Sequence, residues 1–357
     1  MAGRTIKYSW LLLIGSLLFS QNMINRMKVP VIIKGKMGFG YDNNFLRLSD
    51  KEITEDDVHV YGISKTLDSP ILKPTVKLIY SPVILDDKTT NIITSVSYSH
   101  FTQEIQKSYF ITNLSFELKL RSYSWLKVGI RDIPVYYLRD YHDRDLSNVD
   151  YYNCTFSSQG YFASYSLPIK RLHRTWMKVY ADFTKEYYNP HFTEFDLNKY
   201  MFQFDMNHST RRKNKVKLSI AHGVAQNISY GSHLPSTGFD RSYIFDKVRG
   251  EFVYKARRIN KIDDIGISFQ LEQRYYDLLS EKYSIGNWKY YLDGRVKVWV
   301  DWDIIDDIGF KTYYQFRWRD ASTQIYGDFD WVEDIKSYSK HEIWLEFSYR
   351  FITDILY

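Results

Sequence analysis

The sequence predicts a transmembrane antiparallel up-and-down β-barrel of about 14 strands, with 12 or 16 as alternatives. From residue 295 to 304, apolar side chains alternate with Arg295, Lys297, Trp299, Asp301 and Asp303. Successive side chains of a strand point to opposite faces, so one face here is apolar and the other is mostly charged. The pattern recurs in segments of about ten to fifteen residues, which is typical of strands between lipid and a polar lumen.

A leader precedes the first of these segments. Arg4 and Lys7 form a positive region, an apolar stretch runs from 10 to 19, and Ser20 allows cleavage before Gln21. A membrane-spanning helix needs about twenty residues, about twice this length. We therefore expect a signal peptide at 1–20 and a single barrel domain over 21–357, with an uncleaved anchor as the alternative.

Composition excludes the other main classes of protein. With a mean hydropathy of −0.41 and 25% charged residues, the chain has no second apolar run long enough for a helical membrane bundle. Aromatic residues make up 18% of the chain, which disfavours disorder and suits both strands and the aromatic belts of a barrel. The single cysteine, Cys154, has no partner for an internal disulfide. The net charge of +6 is modest for 357 residues, so its placement matters more than its size.

Turn signals divide the chain into strands and two kinds of connection. Strands are predicted at 31–41, 75–85, 90–102, 109–121, 125–138, 153–168, 175–188, 198–210, 214–227, 243–258, 265–278, 288–304, 309–321 and 341–357. Short turns of three or four residues alternate with long loops at 42–74, 139–152, 189–197, 228–242, 279–287 and 322–340, and with a shorter one at 103–108. Outer-membrane barrels have short periplasmic turns and long extracellular loops, so both termini are expected in the periplasm.

The two faces can be assigned along each predicted strand. In the strand at 109–121, Phe110, Leu114 and Phe116 face outward, whereas Ser115 and Glu117 face inward. A charged side chain facing lipid at mid-depth costs about 2–4 kcal/mol, so the register is strongly enforced. Proline cannot donate to the ladder, and we therefore place Pro82 and Pro134 at strand ends or bulges.

Both ends of the predicted barrel resemble known families. Alternate residues from Ile343 to Ile355 are mostly apolar, and the chain closes on Tyr349, Phe351 and Tyr357. This strand resembles the aromatic signal that hands bacterial outer-membrane barrels to their insertion machinery, which usually ends on Phe. The opening segment 38–44 (Gly-Phe-Gly-Tyr-Asp-Asn-Asn) resembles the first strand of porin-like and surface-lipoprotein-translocator barrels. The resemblance implies a Gram-negative outer-membrane location, with lipids, lipopolysaccharide and the insertion machinery as partners.

On the predicted inner face, basic residues outnumber acidic ones about two to one. The basic candidates for a pore lining are Lys247, Arg249, Lys255, Arg257, Arg274, Arg295, Lys297, Arg317 and Arg319. The acidic candidates are Glu251, Glu272, Asp301 and Asp303. Cationic walls favour anions, but these side chains could equally pair across neighbouring strands and stiffen the wall. A barrel of this size has room for either a wet lumen or a loop plug.

These features favour a porin-like channel for the passive or weakly selective diffusion of small polar solutes, with anions as a candidate class. The alternatives are a carrier for hydrophobic compounds, a barrel that exports or assembles surface proteins, and a closed barrel. Candidates for an enzyme are His208 with Ser209, and the loop residues Asp140, His142, Asp143 and Asp145. His208 and Ser209 are adjacent on a strand and point to opposite faces, so they cannot form a nucleophile–base pair directly, and the acidic loop residues are those of an ordinary solvated turn. We expect no catalytic residues, cofactor, metal or nucleic-acid partner, because no motif for these is present.

Overall fold

The computed structural model describes residues 28–55, 66–85, 88–143, 150–234, 237, 240–256, 262–278, 287–305, 307–323 and 336–356. Within them, 14 strands pair in sequence order and close into one barrel, so the predicted fold is confirmed. The strands are β1 (Lys28–Asp42), β2 (Ser69–Tyr80), β3 (Thr90–Phe101), β4 (Tyr109–Arg121), β5 (Ser124–His142), β6 (Tyr151–Pro168), β7 (Thr175–Tyr188), β8 (Leu197–Ser209), β9 (Lys215–Asn227), β10 (Tyr243–Lys255), β11 (Ile262–Leu278), β12 (Asn287–Ile305), β13 (Ile308–Thr323) and β14 (Tyr338–Leu356).

Short helical segments lie in some of the described connections. They are the helix α1 (Asp50–Glu55) and the 3₁₀ segments Ile105–Lys107 and Pro190–Phe195. No helix in the described ranges is long and apolar enough to cross a membrane. The predicted leader, residues 1–20, lies outside the described residues.

The first and last strands close the barrel. They pair antiparallel along the whole of β1, from Lys28 opposite Leu356 to Asp42 opposite Glu342. Every other ladder joins strands that are consecutive in the chain. Closure gives every strand a hydrogen-bonded neighbour on both sides, so the backbone N–H and C=O groups within the ladders are paired in the wall.

The connections alternate in length as predicted, with one exception: the β2–β3 connection (81–89) is longer than the predicted turn at 86–89 and longer than the β3–β4 connection (102–108). The long ones leave from one end of the barrel, here called the loop end, and the short ones from the other, here called the turn end. β1 begins and β14 ends at the turn end, so both strand termini lie on the same side. Which end faces the cell exterior stays a prediction.

Side-chain exposure confirms the predicted faces. Val298 in β12 is 40% exposed on the outside of the barrel, whereas its neighbour Trp299 is 8% exposed on the inside. In β4, Phe110 is 51% exposed and Ser115 is 6% exposed. The outer surface is therefore a belt of apolar and aromatic side chains, and the polar residues of the strands lie mainly inside.

Both prolines mark irregularities. β2 ends at Tyr80, so the predicted strand at 75–85 is too long by five residues at its C-terminal side. Pro82 follows the strand, and its carbonyl accepts a hydrogen bond from the Thr90 hydroxyl instead of from a ladder partner. At Pro134 the pairing of β5 with β6 shifts register between Ile133 and Tyr136, as a bulge does.

Several aromatic rings lie flat on glycines of the neighbouring strand. Trp299 covers Gly266, and Trp344 covers Gly40, each pair being directly opposite in the ladder. A Cβ atom built on Gly266 would lie 2.1 Å from the Trp299 ring, and one on Gly40 would lie 2.6 Å from the Trp344 ring. The glycines thus let large rings lie against the wall without filling the lumen.

We expect Gly266→Ala to destabilise the barrel by about 1–3 kcal/mol, because the added methyl group forces the Trp299 ring off the wall. The measurement is the temperature at which the protein loses its folded migration on heated gels. Gly250→Ala is the matched control, since a Cβ there meets nothing within 4 Å. Equal effects of the two substitutions would contradict this packing.

The alternation of connections also predicts surface topology. With Cys154→Ser as background, a cysteine at exposed Leu234, at the loop end, should react with an impermeant thiol reagent on intact cells. A cysteine at exposed Leu172, at the turn end, should react only after the cells are lysed. The reverse result would invert the predicted orientation.

Candidate functional site

Many charged residues of the inner face are neutralised by neighbours. Ion pairs link adjacent strands at Lys36–Glu346 (2.9 Å), Lys127–Glu117 (2.8 Å), Lys199–Glu186 (2.7 Å) and Lys217–Asp205 (3.0 Å). Each ion pair joins two adjacent strands, so these charges stabilise the pairing of the strands. The alternative interpretation of the basic residues, that they stiffen the wall, therefore applies to a large part of the lumen.

Most of the predicted pore-lining residues also lie in ion pairs. The pairs are Lys247–Glu272 (3.4 Å), Arg249–Glu251 (2.6 Å), Lys255–Asp264 (3.4 Å), Arg274–Glu272 (2.7 Å), Arg319–Asp293 (2.9 Å) and Asp301–Lys311 (3.0 Å). The predicted facing of β10 and β11 is confirmed, since Lys247 is opposite Glu272 and Arg249 is opposite Gln270. Arg257 and the side chain of Asp303 lie outside the described residues.

Three of the predicted pore-lining cations, Arg295, Arg317 and Lys297, differ from the others in forming no ion pair within the described ranges. Arg295 in β12 and Arg317 in β13 are directly opposite each other. The Nε atom of Arg295 is buried and has no hydrogen-bond partner. Lys297, two residues along β12, places its Nζ 3.4 Å from the centroid of the Tyr313 ring. All three side chains are half-buried in the wall, and Arg295 with Arg317 is here called the arginine cluster.

The arginine cluster belongs to a longer polar row. Reading across the ladders from β10 to β14, the residues directly opposite one another are Arg249, Gln270, Arg295, Arg317 and Lys340. Arg249 and Lys340 have carboxylate partners, Glu251 at 2.6 Å and Asp42 at 2.6 Å respectively. The positive charge that remains without a carboxylate partner is thus at the centre of the row.

The segment after β1 turns into the barrel, and its described residues 43–55 are here called the inner loop. Phe45, Leu46 and Leu48 are almost fully buried and pack in one cluster with wall residues such as Trp344. Helix α1 follows, and its start is capped reciprocally: Ser49 Oγ accepts from the N–H of Glu52, and a Glu52 carboxylate oxygen accepts from the N–H of Ser49.

Buried polar contacts hold the inner loop in place. Glu52 pairs with Arg139 at 2.9 Å, and both side chains are nearly buried. β5, which carries Arg139, is four strands from β1 around the wall, so the inner loop reaches across the lumen. Beside β14, the Asn44 amide donates to the carbonyl oxygen of Ser339 at 3.0 Å. The inner loop therefore narrows the lumen near the loop end.

A second loop contact reinforces the same region. Lys107, in the 3₁₀ segment between β3 and β4, donates from Nζ to the carbonyl oxygens of Tyr137 and Leu138, both at 2.8 Å. Its ammonium lies 4.8 Å from the centroid of the Tyr136 ring. Burial lowers the pKa of Lys107 to about 8. The lysine thus supplies donors to backbone carbonyls just after the bulge in β5.

The enzyme candidates make other contacts. His208 Nδ1 lies 2.8 Å from the Thr175 hydroxyl rather than beside Ser209. Asp143 contacts His191 at 2.7 Å, and Asp140 accepts from the Tyr137 hydroxyl at 2.9 Å. Asp145 and the side chain of His142 lie outside the described residues. Within the described ranges, no three His, Cys, Asp or Glu side chains are placed to hold a metal ion.

The inner loop is the main feature that the sequence reasoning missed. Residues 42–74 were expected to form a long polar loop like the others. Two signals for a folded segment are present, namely the Ser49-to-Glu52 spacing of a capping box and the apolar residues at 45, 46 and 48 just before it. Neither signal shows that the segment enters the barrel, because that depends on Arg139, 87 residues from Glu52.

No family model and no curated protein matches the chain. Among solved structures, it is similar to the outer-membrane channel DcaP of Acinetobacter baumannii, with 10% identity, 90% of this chain and 97% of that chain covered, and a TM-score of 0.45. It is also similar to an anion-selective porin from Comamonas acidovorans, with 6% identity, 91% of this chain and 100% of that chain covered, and a TM-score of 0.43. A third similar structure is OccAB3 of Acinetobacter baumannii, with 7% identity, 91% of this chain and 99% of that chain covered, and a TM-score of 0.41. Similarity at this level of identity and TM-score assigns no function. The barrel fold is established by the strand pairing of this chain itself.

Proposed function

We propose that the chain is an outer-membrane channel for the passive diffusion of small polar solutes, with a preference for anions. The observation that carries the preference is the arginine cluster: two guanidinium groups opposite each other in the wall, neither of which forms a salt bridge among the described residues. The Glu342 carboxylate is near enough to interact with both, but its salt bridge is with Lys340 at 2.8 Å. Like charges directly opposite each other destabilise a sheet. A passing anion offsets this repulsion, so the lumen attracts it at this position.

The ion pairs of the surrounding wall reduce the positive potential elsewhere in the lumen. Most other inner-face charges that the structure describes are in ion pairs and contribute little net potential. A local positive potential in a narrow passage with low-dielectric walls raises the local concentration of anions. The inner loop supports this proposal because it narrows the passage, so solutes pass close to the wall.

Insertion and location are part of the same proposal. Tyr349 and Phe351 project from the outer face of β14 and are 54% and 47% exposed, which suits a surface that insertion machinery recognises. Tyr357 lies outside the described residues. We propose that the exported chain is recognised at this strand, and that outer-membrane lipids and lipopolysaccharide then surround the apolar belt.

Replacing Arg295 and Arg317 with Gln should lower the anion-to-cation permeability ratio by about two-fold or more, because the unpaired positive potential is removed. The measurement is the reversal potential of the purified protein in a planar bilayer under a salt gradient. The difference from wild type should shrink at high ionic strength.

The control for this experiment is Arg249→Gln with Lys255→Gln. Both residues have carboxylate partners, so we expect lower thermal stability and a smaller change in reversal potential. An unchanged reversal potential in the Arg295 and Arg317 variant would refute the anion preference.

Glu52→Gln should release the inner loop, because it leaves the nearly buried Arg139 without its partner, at a cost of about 3–5 kcal/mol. We expect a larger and noisier single-channel conductance. Adding Arg139→Met to Glu52→Gln should restore part of the thermal stability, since no unpaired charge then remains, but not the conductance. A Glu52→Gln channel with wild-type conductance would show that the inner loop does not limit the passage.

A further inference from the structure

Two adjacent turns concentrate positive charge at the turn end. The β6–β7 turn contributes three cations and the β8–β9 turn with the start of β9 contributes four, namely Lys170, Arg171, Arg174, Arg211, Arg212, Lys213 and Lys215. These seven residues, the basic turn patch, exceed the net formal charge of +6 of the whole chain. No Asp or Glu occurs at 168–175 or 206–217.

The two turns form one surface. Arg174 donates from a guanidinium nitrogen to the Thr210 carbonyl oxygen at 3.1 Å, and the N–H of Ser209 donates to the Arg174 carbonyl oxygen at 2.9 Å. All seven cationic residues are exposed, and in the described part of the chain none forms an ion pair. A cluster of like charges without salt bridges at a membrane edge favours the binding of an anionic partner.

The outer wall of the same strands has a recess. It has a volume of about 800 Å³ and lies on the outer face of β5 to β9. The recess forms because Ala163 of β6 and Ala181 of β7 are directly opposite each other, where neighbouring positions carry large rings. One of its borders is a stack of rings, with centroids 6.3 Å apart for Tyr161 and Phe183, and 4.9 Å apart for Phe183 and Tyr200.

The recess lies within reach of a lipid anchored at the basic turn patch. Ala181 is six residues from Thr175, where β7 begins. At about 3.3 Å per residue and a tilt of about 40°, this corresponds to a depth of roughly 15 Å. That is about half of a hydrocarbon core of about 30 Å, the depth that one leaflet's acyl chains occupy.

We propose that the β6–β9 sector binds an anionic phospholipid of the leaflet at the turn end. Its phosphate lies among the cations of the basic turn patch, and one acyl chain runs up the outer wall into the recess. The inference rests on the proposed membrane location but not on anion preference in the lumen. Short turns favour a lipid over a distant polymer or protein, because they hold the cations at headgroup level, beside outward-facing Met206 and Val216.

The test uses the full chain, folded and purified in detergent, with dioleoyl phosphatidylglycerol or dioleoyl phosphatidylcholine added to the micelles. Native mass spectrometry counts the lipids retained. Wild type should retain the anionic lipid in preference to the zwitterionic one. Changing Lys170, Arg171, Arg211 and Arg212 to Gln should reduce retention of the anionic lipid by about ten-fold or more. The charge-preserving control (Lys170→Arg with Arg171→Lys, Arg211→Lys and Arg212→Lys) should retain it.

The recess is tested separately. Ala181→Trp fills it and should lower retention of the anionic lipid, whereas Thr312→Trp adds the same ring to the outer face of β13 and should not. Equal retention of the two lipids by wild type, or unchanged retention in the Gln variant, would overturn the proposal. So would a Gln variant that keeps the lipid and changes only the reversal potential, because the cations would then serve the channel mouth. Retention of the anionic lipid by a channel without anion preference would refute the proposed selectivity and leave the lipid site standing.

Discussion

The rest of the structure depends on the ladder between the first and last strands. A β-sheet that borders lipid cannot leave an edge open, because no water is available there for unpaired N–H and C=O groups. Pairing β1 with β14 along its full length removes that edge. An antiparallel barrel that closes with both termini on one side has an even number of strands, and its connections leave alternately from the two ends. This arrangement places the inner loop at one end and the basic turn patch at the other.

Closure also creates an interior that must tolerate charge. The inner face meets this requirement mainly with ion pairs across ladders, such as Lys247–Glu272 and Arg319–Asp293. The arginine cluster departs from this rule. The wall neutralises most of its charges but leaves Arg295 and Arg317 opposite each other on β12 and β13, as it leaves Lys34 and Lys77 on β1 and β2. In the proposed channel, the arginine cluster sets the preference for anions.

The inner loop shows how a barrel holds a constriction. Its apolar residues Phe45 and Leu48 pack against aromatic residues of the wall, and Glu52 pairs with Arg139 on β5, four strands from β1. Glycines beneath Trp299 and Trp344 let these rings lie against the wall. These large rings therefore project little into the lumen, and the lumen is narrowed by the inner loop rather than by the strands.

The amino-acid sequence by itself determined the barrel class, the two faces of the strands and the general alternation of turns and loops, and it placed the strand number at about 14 with 12 or 16 still open. These properties are local: a period of two, turn residues and proline act within about ten residues, so they can be read along the chain. It also determined which residues face inward, as Lys247 and Arg295 illustrate. Only the tertiary structure decided which of them are neutralised. Lys247 meets Glu272, 25 positions away, whereas Arg295 meets Arg317, because ladder registers decide which distant residues become neighbours. The path of the inner loop was decided in the same way, since Glu52 meets Arg139, 87 positions away, only when β1 to β5 have assembled side by side.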